Sequence, residues 1–395
     1  MYNFRGLVGM EYRKLFRKKI VWVTVVLLAA VCLVSGLSGL FGRYYVNGEP
    51  TDTHANMLRT DSAYARSLSG HPIDDRLLRE MQEAYRKVPE NTEIPYSATE
   101  EYQKYARPYS EIHNFVLRVA GNSWDTISQA DLYQLRLAAV EQGWKQLLLT
   151  DAEKGYLEKQ EDSLEVPFIY GYDDGYTNYM SLLFTTGLLL LLGIAVCVPQ
   201  IFSEEYSRKT DQLIASSPLG KKPLYLAKIF TGLTFCLGLA LFLAGITAAA
   251  VFAVYGTDGF ETAIQLDYPG LSWNITVGEA ALILTGIYLL SALLLGSAAM
   301  LLSQLFRSST PAMAVFLGYL LMVAVFNIPE EYRIPAQLWS YFPTVSTNLS
   351  NAFSQRLLAV GDVFLTGWQV VSLLYPAATA ALLLVNYRKY RKMPG

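Results

Sequence analysis

Residues 182–196 read LLFTTGLLLLLGIAV, and residues 289–302 read LLSALLLGSAAMLL. A bilayer core of about 30 Å requires about 20 apolar helical residues, and a charge at its centre costs about 2.5–3.5 kcal/mol. Both stretches are uncharged and lie inside longer uncharged runs. Of the 395 residues in the chain, 52% are hydrophobic and only 17% are charged, and the mean hydropathy is +0.24. This pattern predicts membrane-spanning helices.

Six uncharged runs are long and apolar enough to cross a bilayer. They are residues 20–42, 175–203, 229–257, 280–306, 308–329 and 363–387. A seventh uncharged run, 334–355, contains Pro335, Pro343 and many Ser, Thr and Asn residues, so we interpret it as interfacial or re-entrant within an outer segment 330–362. The sequence thus predicts an all-α integral membrane protein with six transmembrane helices, the last four of them in 224–395.

The distribution of Lys and Arg predicts the orientation of these helices, because cytoplasmic segments are enriched in both residues. With the N-terminus inside, sixteen of them lie on the cytoplasmic side, in 1–19, in 204–228, at Arg307 and in 388–392. The two short outer loops hold only Arg333 and Arg356. We therefore expect both ends of the chain in the cytoplasm, with a basic tail after the last helix.

Residues 43–174 form a predicted domain outside the cytoplasm, between the first and second helices. Stretches 74–88 and 130–149 show helical periodicity with few β-branched residues, so we expect this extracytoplasmic domain to be mostly helical. Its 23 acidic and 14 basic residues give a net charge of about −9. This acidic face either attracts a cationic ligand or peptide or is simply solvated. All three cysteines lie inside predicted helices, so no disulfide supports the domain.

Residues 1–19 have an amphipathic pattern. Aromatic and aliphatic side chains between Phe4 and Phe16 recur near one helical face, and basic residues fill the other. Two interpretations are open: a helix lying on the inner membrane surface, or a basic flank that only sets topology.

Residues 204–223 form a charged cytoplasmic loop after the second helix. A helix from Ser203 to Ala215 suits this sequence, and Pro218 ends it because proline lacks a backbone donor. We expect Lys221, Lys222 and Lys228 to anchor the third helix at the lipid headgroups. A compact, charged loop of this kind is unusual for a simple connection.

Several classes of chemistry are absent from the sequence. All three histidines lie in residues 43–174, so no histidine is available in a membrane helix as a general base or a proton relay. The chain has no HExxH zinc motif and no GxxxxGK[ST] phosphate loop. Its net charge of −2 does not indicate a nucleic-acid partner. We therefore expect no enzyme activity and no cofactor in this chain.

Four features together resemble the ABC-2-type permeases, the membrane subunits of ABC exporters. A leader, MEYRKLFRK at 10–18, is similar to the start of that family, and a large insertion separates the first two helices. A segment rich in proline and aromatic residues, 339–343, precedes the last helix. The fourth feature is the pattern Glu204-Glu205, Lys209-Thr210, Leu213, Ser217-Pro218-Leu219 and Lys228. Many members of the family have Gly where this chain has Lys209.

The resemblance implies that the inner loop is a coupling helix seated in a separate ABC ATPase subunit. ATP and Mg would bind to that partner, and the permease would pair with a second copy or a sister permease in the lipid bilayer of a bacterial plasma membrane. The coupling residues that it implies are Glu204, Glu205, Arg208, Lys209, Thr210, Leu213, Ile214, Ser217 and Pro218. The alternative for the charged members is that they snorkel at the membrane edge.

The path for cargo would then run between the two permeases. The sparse polar points expected along it are Thr185, Thr186, Ser291, Ser297 and Tyr319. Such a lining suits an amphipathic or hydrophobic cargo such as a lipid, a peptide or an antibiotic. Two alternatives to an export permease are open: a membrane-anchored receptor whose outer domain binds a ligand, and an enzyme, which the missing histidines disfavour.

Overall fold

An apolar segment in lipid has to satisfy its backbone polar groups internally, so the uncharged runs are expected to fold as helices. The computed structural model describes residues 4–46, 49–89, 98–210, 222–361 and 363–391, and helices dominate these ranges. In chain order the elements are α1 (Phe4–Phe16), α2 (Lys19–Gly36), β1 (Arg43–Val46), β2 (Glu49–Thr53), α3 (His54–Leu68), α4 (Asp75–Tyr85), α5 (Ser110–Ala120), α6 (Gln129–Gln146), α7 (Asp151–Glu161), α8 (Asp174–Cys197), α9 (Gln200–Ser207), α10 (Lys222–Tyr255), α11 (Val277–Phe306), α12 (Ser309–Val325), α13 (Arg333–Ser340), α14 (Leu349–Ala352), β3 (Leu358–Val360), β4 (Val363–Leu365) and α15 (Gly367–Arg391).

Five helical segments of the described chain are long and apolar enough to cross a membrane. They are Lys19–Gly36, Asp174–Ser207, Lys222–Tyr255, Val277–Phe306 and Gly367–Arg391. The helix for the remaining predicted span, α12, has 17 residues and is about 26 Å long at 1.5 Å per residue. It ends at Val325, where Phe326 takes an extended backbone conformation three residues before Pro329. The number of spans and their orientation remain predictions.

Three predicted boundaries differ from the structure. The first helix ends at Gly36 rather than at residue 42, and a 3₁₀ turn at Ser38–Leu40 follows it. The third helix begins at Lys222 and runs through the basic residues that precede the apolar run. Residues 363–365 form strand β4 instead of the start of the last helix. Hydropathy locates an apolar run, whereas hydrogen bonding sets where the helix begins and ends.

Helix α11 lies at the centre of the bundle and packs against α8, α10, α12 and α15. Small residues allow the helices to approach closely. A Cβ built on Gly36 of α2 would lie only 2.6 Å from Ala250 Cβ of α10. A Cβ on Gly187 of α8 would lie 3.2 Å from Thr344 Cγ2, so this glycine admits the segment between α13 and α14.

The segment 330–362 packs on the bundle through polar contacts. Ser346 is fully buried, and its hydroxyl lies 2.7 Å from the Tyr375 hydroxyl of α15. The Tyr375 hydroxyl also lies 3.0 Å from the Tyr341 carbonyl oxygen, which holds the end of α13 against the same helix. The re-entrant placement of this segment in a membrane remains a prediction.

Elements β1 to α7 form a unit that we call the insert domain. Helices α3 to α7 carry most of it, and the hairpin β1–β2 leads into it. Ile73, Leu78, Met81, Ile112 and Leu132 are each at most 1% exposed and belong to a core of its own. We call the end of the bundle that carries this domain the insert side and the opposite end the far side.

Glu153 fastens the insert domain to the bundle. Thr150 and Glu153 form a capping box that starts α7, which fixes the position of the carboxylate. The same carboxylate accepts hydrogen bonds from Arg333 at 2.6 and 2.8 Å and from the backbone N–H of Leu357 at 3.1 Å. Glu153 is 2% exposed. Burial alone would raise the pKa of Glu153, but hydrogen bonds from Arg333, Thr150 and Leu357 lower it below its usual range.

We predict that Glu153→Gln weakens this attachment. Breaking a buried ion pair leaves Arg333 uncompensated and costs about 3–5 kcal/mol. Because the pKa of Glu153 is lowered by folding, its stabilisation is complete above the unfolded value of about 4.3 and is lost as pH falls through the folded value. Thermal unfolding of the detergent-solubilised chain from pH 3.5 to 7 measures both effects. Glu158→Gln, an exposed change on the same helix, is the control, and equal midpoints for the two variants would contradict the assignment.

Candidate functional site

A buried lysine lies at the far side of the bundle, where α1, α9 and the start of α10 meet. The Lys228 side chain is 1% exposed. Its Nζ donates to the Ile201 carbonyl oxygen at 2.7 Å and lies 3.2 Å from Glu11 Oε2 and 2.9 Å from Glu205 Oε1. The prediction that Lys228 anchors its helix at the headgroups is therefore wrong, because two carboxylates bind the ammonium inside the protein.

The sequence of α1 explains why Glu11 is buried. Leu7, Glu11 and Leu15 are four residues apart and therefore share one face of the helix, and all three are buried. This face packs on α10, where the Tyr12 hydroxyl also lies 2.6 Å from the Thr234 hydroxyl. A carboxylate on a buried stripe requires a cationic partner, which Lys228 supplies.

Further ion pairs surround this centre. Lys14 Nζ lies 2.5 Å from Glu11 and 3.6 Å from Glu205, whereas Glu204 pairs with Lys18 at 3.0 Å and Arg208 at 2.7 Å. Burial alone would lower the pKa of Lys14, but the carboxylates of Glu11, Glu205 and Glu204 raise it above its ordinary value. We call these seven residues the elbow cluster: Glu11, Lys14, Lys18, Glu204, Glu205, Arg208 and Lys228.

Helix α9 begins and ends at defined positions. Pro199 precedes it and interrupts the helix that would otherwise continue from α8. At the other end, the Lys209 N–H donates to the Tyr206 carbonyl oxygen and the Thr210 N–H to that of Glu205, a Schellman motif. Lys209 has φ of 53°, in the left-handed region. The predicted continuous helix from Ser203 to Ala215 is therefore wrong, since α9 ends at Ser207.

Aromatic rings lie beneath the elbow cluster. The Phe202 ring is 5.5 Å from Lys228 Nζ, a cation–π distance. It also packs against Tyr225 of α10 at 6.2 Å and Tyr390 of α15 at 6.1 Å. The short helix α9 is thus held by charge on one side and by aromatic packing on the other.

The predicted coupling residues occupy different environments. Glu204 and Glu205 face the elbow cluster, with side chains 13% and 10% exposed, whereas the Arg208 side chain is 70% exposed. Lys209 is exposed and Thr210 is half-buried. Leu213, Ile214, Ser217 and Pro218 lie outside the described residues. The role of the set remains a prediction.

The structure does not bring the predicted path residues together. The Thr186 hydroxyl faces α10, 3.1 Å from Thr247, and the Ser297 hydroxyl donates to the Leu293 carbonyl oxygen of its own helix. Ser291 is also buried, and the Tyr319 hydroxyl donates to the Pro343 carbonyl oxygen at 2.6 Å. Thr185 is exposed on the surface of α8.

Comparison with known proteins assigns the chain to a family. The sequence model of one protein family, described as ABC-2 family transporter protein, matches residues 6–355. This chain belongs to the ABC-2 transporter family. No curated protein and no solved structure matches it. The matched range contains every residue of the elbow cluster, as well as α9 and the insert domain.

As an ABC-2 family member the chain is a multi-pass membrane component of a transporter. The elbow cluster connects the far ends of two long helices, α8 and α10, through the short helix α9. Among the described residues, no group of three or more His, Cys, Asp or Glu side chains is placed to hold a metal ion. The ion pairs of this arrangement hold α9 against α1 and α10.

In this ABC-2 protein, we expect Lys228→Met to destabilise the fold. The change removes the buried cation between Glu11 and Glu205 and leaves only the half-buried Lys14 to compensate two buried carboxylates, at a cost of about 3–5 kcal/mol. Thermal unfolding in detergent measures the loss, with Lys222→Met on an exposed position of the same helix as the control.

Adding Glu11→Gln and Glu205→Gln to Lys228→Met provides the decisive comparison. Removal of all three charges should recover most of the lost stability, because the remaining charge, Lys14, is 39% exposed and stays in contact with water. If the triple variant were less stable than Lys228→Met, the ion-pair account of the cluster would be wrong.

We also expect Lys209→Gly to stabilise the chain by about 1 kcal/mol. Left-handed backbone costs a residue with a Cβ about 1–2 kcal/mol, and glycine avoids that cost. Lys209→Ala keeps the Cβ and removes only the charge, so its unfolding midpoint should stay close to that of the wild type. A larger midpoint shift for Ala than for Gly would refute the backbone explanation.

Proposed function

We propose that this chain is the permease subunit of an ATP-binding cassette exporter. It works with a separate ATPase subunit that binds ATP and Mg, because the chain itself has no phosphate loop. The observation that carries the proposal is the family match over residues 6–355. The buried ion pairs of the elbow cluster support it, since they fix α9 to α1 and to the long helix α10.

In this proposal, the residues of the inner loop have two different tasks in coupling the ATPase to the permease. Glu205 holds α9 to Lys14 of α1 and Lys228 of α10, and Glu204 pairs with Lys18 directly after α1. Arg208 and Lys209 contact the ATPase, because their side chains are exposed at the end of α9. Leu213 and Ile214 follow as apolar anchors, as the family pattern implies.

Transport follows from rigid-body motion. Closure of the ATPase subunits displaces α9 and the elbow cluster. As a result α8 and α10 tilt together, as packed helices that move about an interface. Two permeases, as a homodimer or with a sister subunit, form the path between them. The cargo is amphipathic or hydrophobic, since the bundle surfaces are almost free of charge. The insert domain lies outside the cell of a bacterium.

To test this proposal, an affinity-tagged chain is purified from its native membranes. Any copurified subunit that binds nucleotide is then labelled with a photoreactive ATP analogue. The wild-type chain should retain a labelled subunit that contains a phosphate loop. Arg208→Glu with Leu213→Asp should lower the retained amount at least about tenfold, because both changes place unfavourable groups in the interface. Arg17→Glu, an exposed charge reversal directly after α1, should retain the subunit.

Thermal unfolding of each variant separates lost coupling from lost folding. If the wild-type chain is purified without any ATP-labelled subunit, with or without nucleotide, the exporter proposal fails. In that case a receptor that needs no ATPase becomes the better account of the same membrane protein.

A further inference from the structure

A hairpin with one wholly apolar face lies directly before the last membrane helix. Side chains alternate between the two faces of a strand. On one face the Phe364 ring packs against Tyr156 of α7, with ring centroids 5.8 Å apart. The face that points away from α7 consists of the cross-strand pairs Leu358–Leu365 and Val360–Val363. A two-stranded hairpin has little stability in water by itself, so its apolar face requires a covering.

The turn between α6 and α7 exposes another apolar side chain. Leu148 is more than half exposed, and its φ of 54° lies in the left-handed region. This conformation is unfavourable for a residue with a Cβ, and glycine or asparagine is the usual choice for it in a turn that faces water. The turn therefore holds a leucine at the protein surface at a cost in backbone energy.

Two arginines hold this turn beside the segment that precedes the last helix. Arg333, the first residue of α13, donates to the Leu148 carbonyl oxygen. Arg356, two residues before β3, donates to the Leu147 carbonyl oxygen at 3.1 Å. The exposed apolar side chains of the three elements thus lie in one region of the insert side. We call five of them, each more than half exposed, the apolar rim: Leu148 of the turn, Ile334 and Leu338 on one face of α13, and Val360 and Val363 of the hairpin.

The apolar rim lies close to the ends of two membrane helices. Leu365 is two residues before Gly367, the first residue of α15, so their Cα atoms are at most about 7 Å apart. At the insert-side end of α12, Val325 is 77% exposed, and α13 begins eight residues later, at Arg333. In a multi-pass membrane protein, lipid covers the exposed apolar surfaces of α12 and α15. Because the rim continues these surfaces, lipid is the occupant that its position favours.

We propose that the insert domain rests on the lipid bilayer through the apolar rim. The Leu148 side chain and the apolar hairpin face enter the boundary between headgroups and acyl chains, in the leaflet on the insert side. Lys145, exposed three residues before Leu148, pairs with a lipid phosphate. The exposed Tyr332 lies at headgroup level, where tyrosine is enriched. The proposal requires only that the chain is a membrane protein, and it is independent of the ATPase.

The test uses the full chain in phosphatidylcholine nanodiscs that hold one chain each. Leu148→Cys and Val360→Cys are labelled separately with the environment-sensitive fluorophore NBD, and the labelled wild-type chain corrects for its three buried cysteines. One quencher is a lipid with a nitroxide near the headgroup end of its acyl chain, and the other is iodide in water. Both labels should be quenched several-fold more by the nitroxide lipid than a label in water, and less by iodide.

The matched control is Leu135→Cys on α6. Leu135 is also an exposed leucine, and thirteen residues at the helical rise place it about 20 Å from Leu148 along the chain axis, towards the core of the insert domain. If the nitroxide lipid quenches the Leu148 label no more than the Leu135 label, the proposal is overturned. It is also overturned if the Leu148 label is shielded from iodide only in nanodiscs that hold two chains, because the rim is then covered by a second copy.

Leu148→Gly tests the rim without a label, with Lys209→Gly as its control. Both changes place glycine at a left-handed position, but only the first removes a side chain from lipid. In nanodiscs the unfolding midpoint of Lys209→Gly should rise, whereas that of Leu148→Gly should stay level or fall. Equal rises would mean that lipid does not favour the leucine, which overturns the proposal. Failure here leaves copurification of the ATPase unaffected, so the two proposals are tested separately.

Discussion

The arrangement at the far side depends on one constraint, which is that the Lys228 ammonium is withdrawn from water. Desolvation of a charge costs several kcal/mol and is offset only when opposite charges are placed close to it. Glu11 comes from the first helix of the chain and Glu205 from the helix after α8, and both lie within 3.2 Å. Neither carboxylate is a sequence neighbour of the lysine, so the fold itself has to bring them there. The three helices are therefore fixed relative to one another by charge rather than by apolar contact alone.

The insert side uses the same physical device. Glu153 is buried, and its partners, Arg333 and the Leu357 N–H, belong to the segment that precedes the last helix. At each end of an almost uncharged bundle, a buried carboxylate thus attaches an additional unit to the helix ends. Within the described chain, no ion pair joins the elbow cluster directly to the insert domain, so the apolar helices are the connection between the two sides.

Most of the fold follows from the sequence because a long run without charge in lipid folds as a helix unless it belongs to a closed β-barrel. The periodicity of 74–88 and 130–149 likewise predicts α4 and α6. The elbow cluster could not be predicted in full, because Glu11 and Lys228 are 217 residues apart. One signal was available: Leu7, Glu11 and Leu15 form a stripe in which a carboxylate replaces an apolar residue. Hydropathy gave no sign that α9 ends at Ser207, which depends on backbone hydrogen bonds around Lys209.

Several hydroxyls inside the bundle are satisfied within one chain, which bears on the cargo path of the proposed permease pair. The hydroxyls of Thr186, Thr247 and Ser297 donate to carbonyl oxygens of their own helices, which satisfies them without water or ligand. A polar lining that is already satisfied and buried offers no route through the bundle. Thr185, one position from Thr186, is exposed instead, on a face of α8 that another subunit can cover. In the proposed pair of permeases, burial would thus separate Thr186, which stabilises one protomer, from Thr185, which would be available to the path between two.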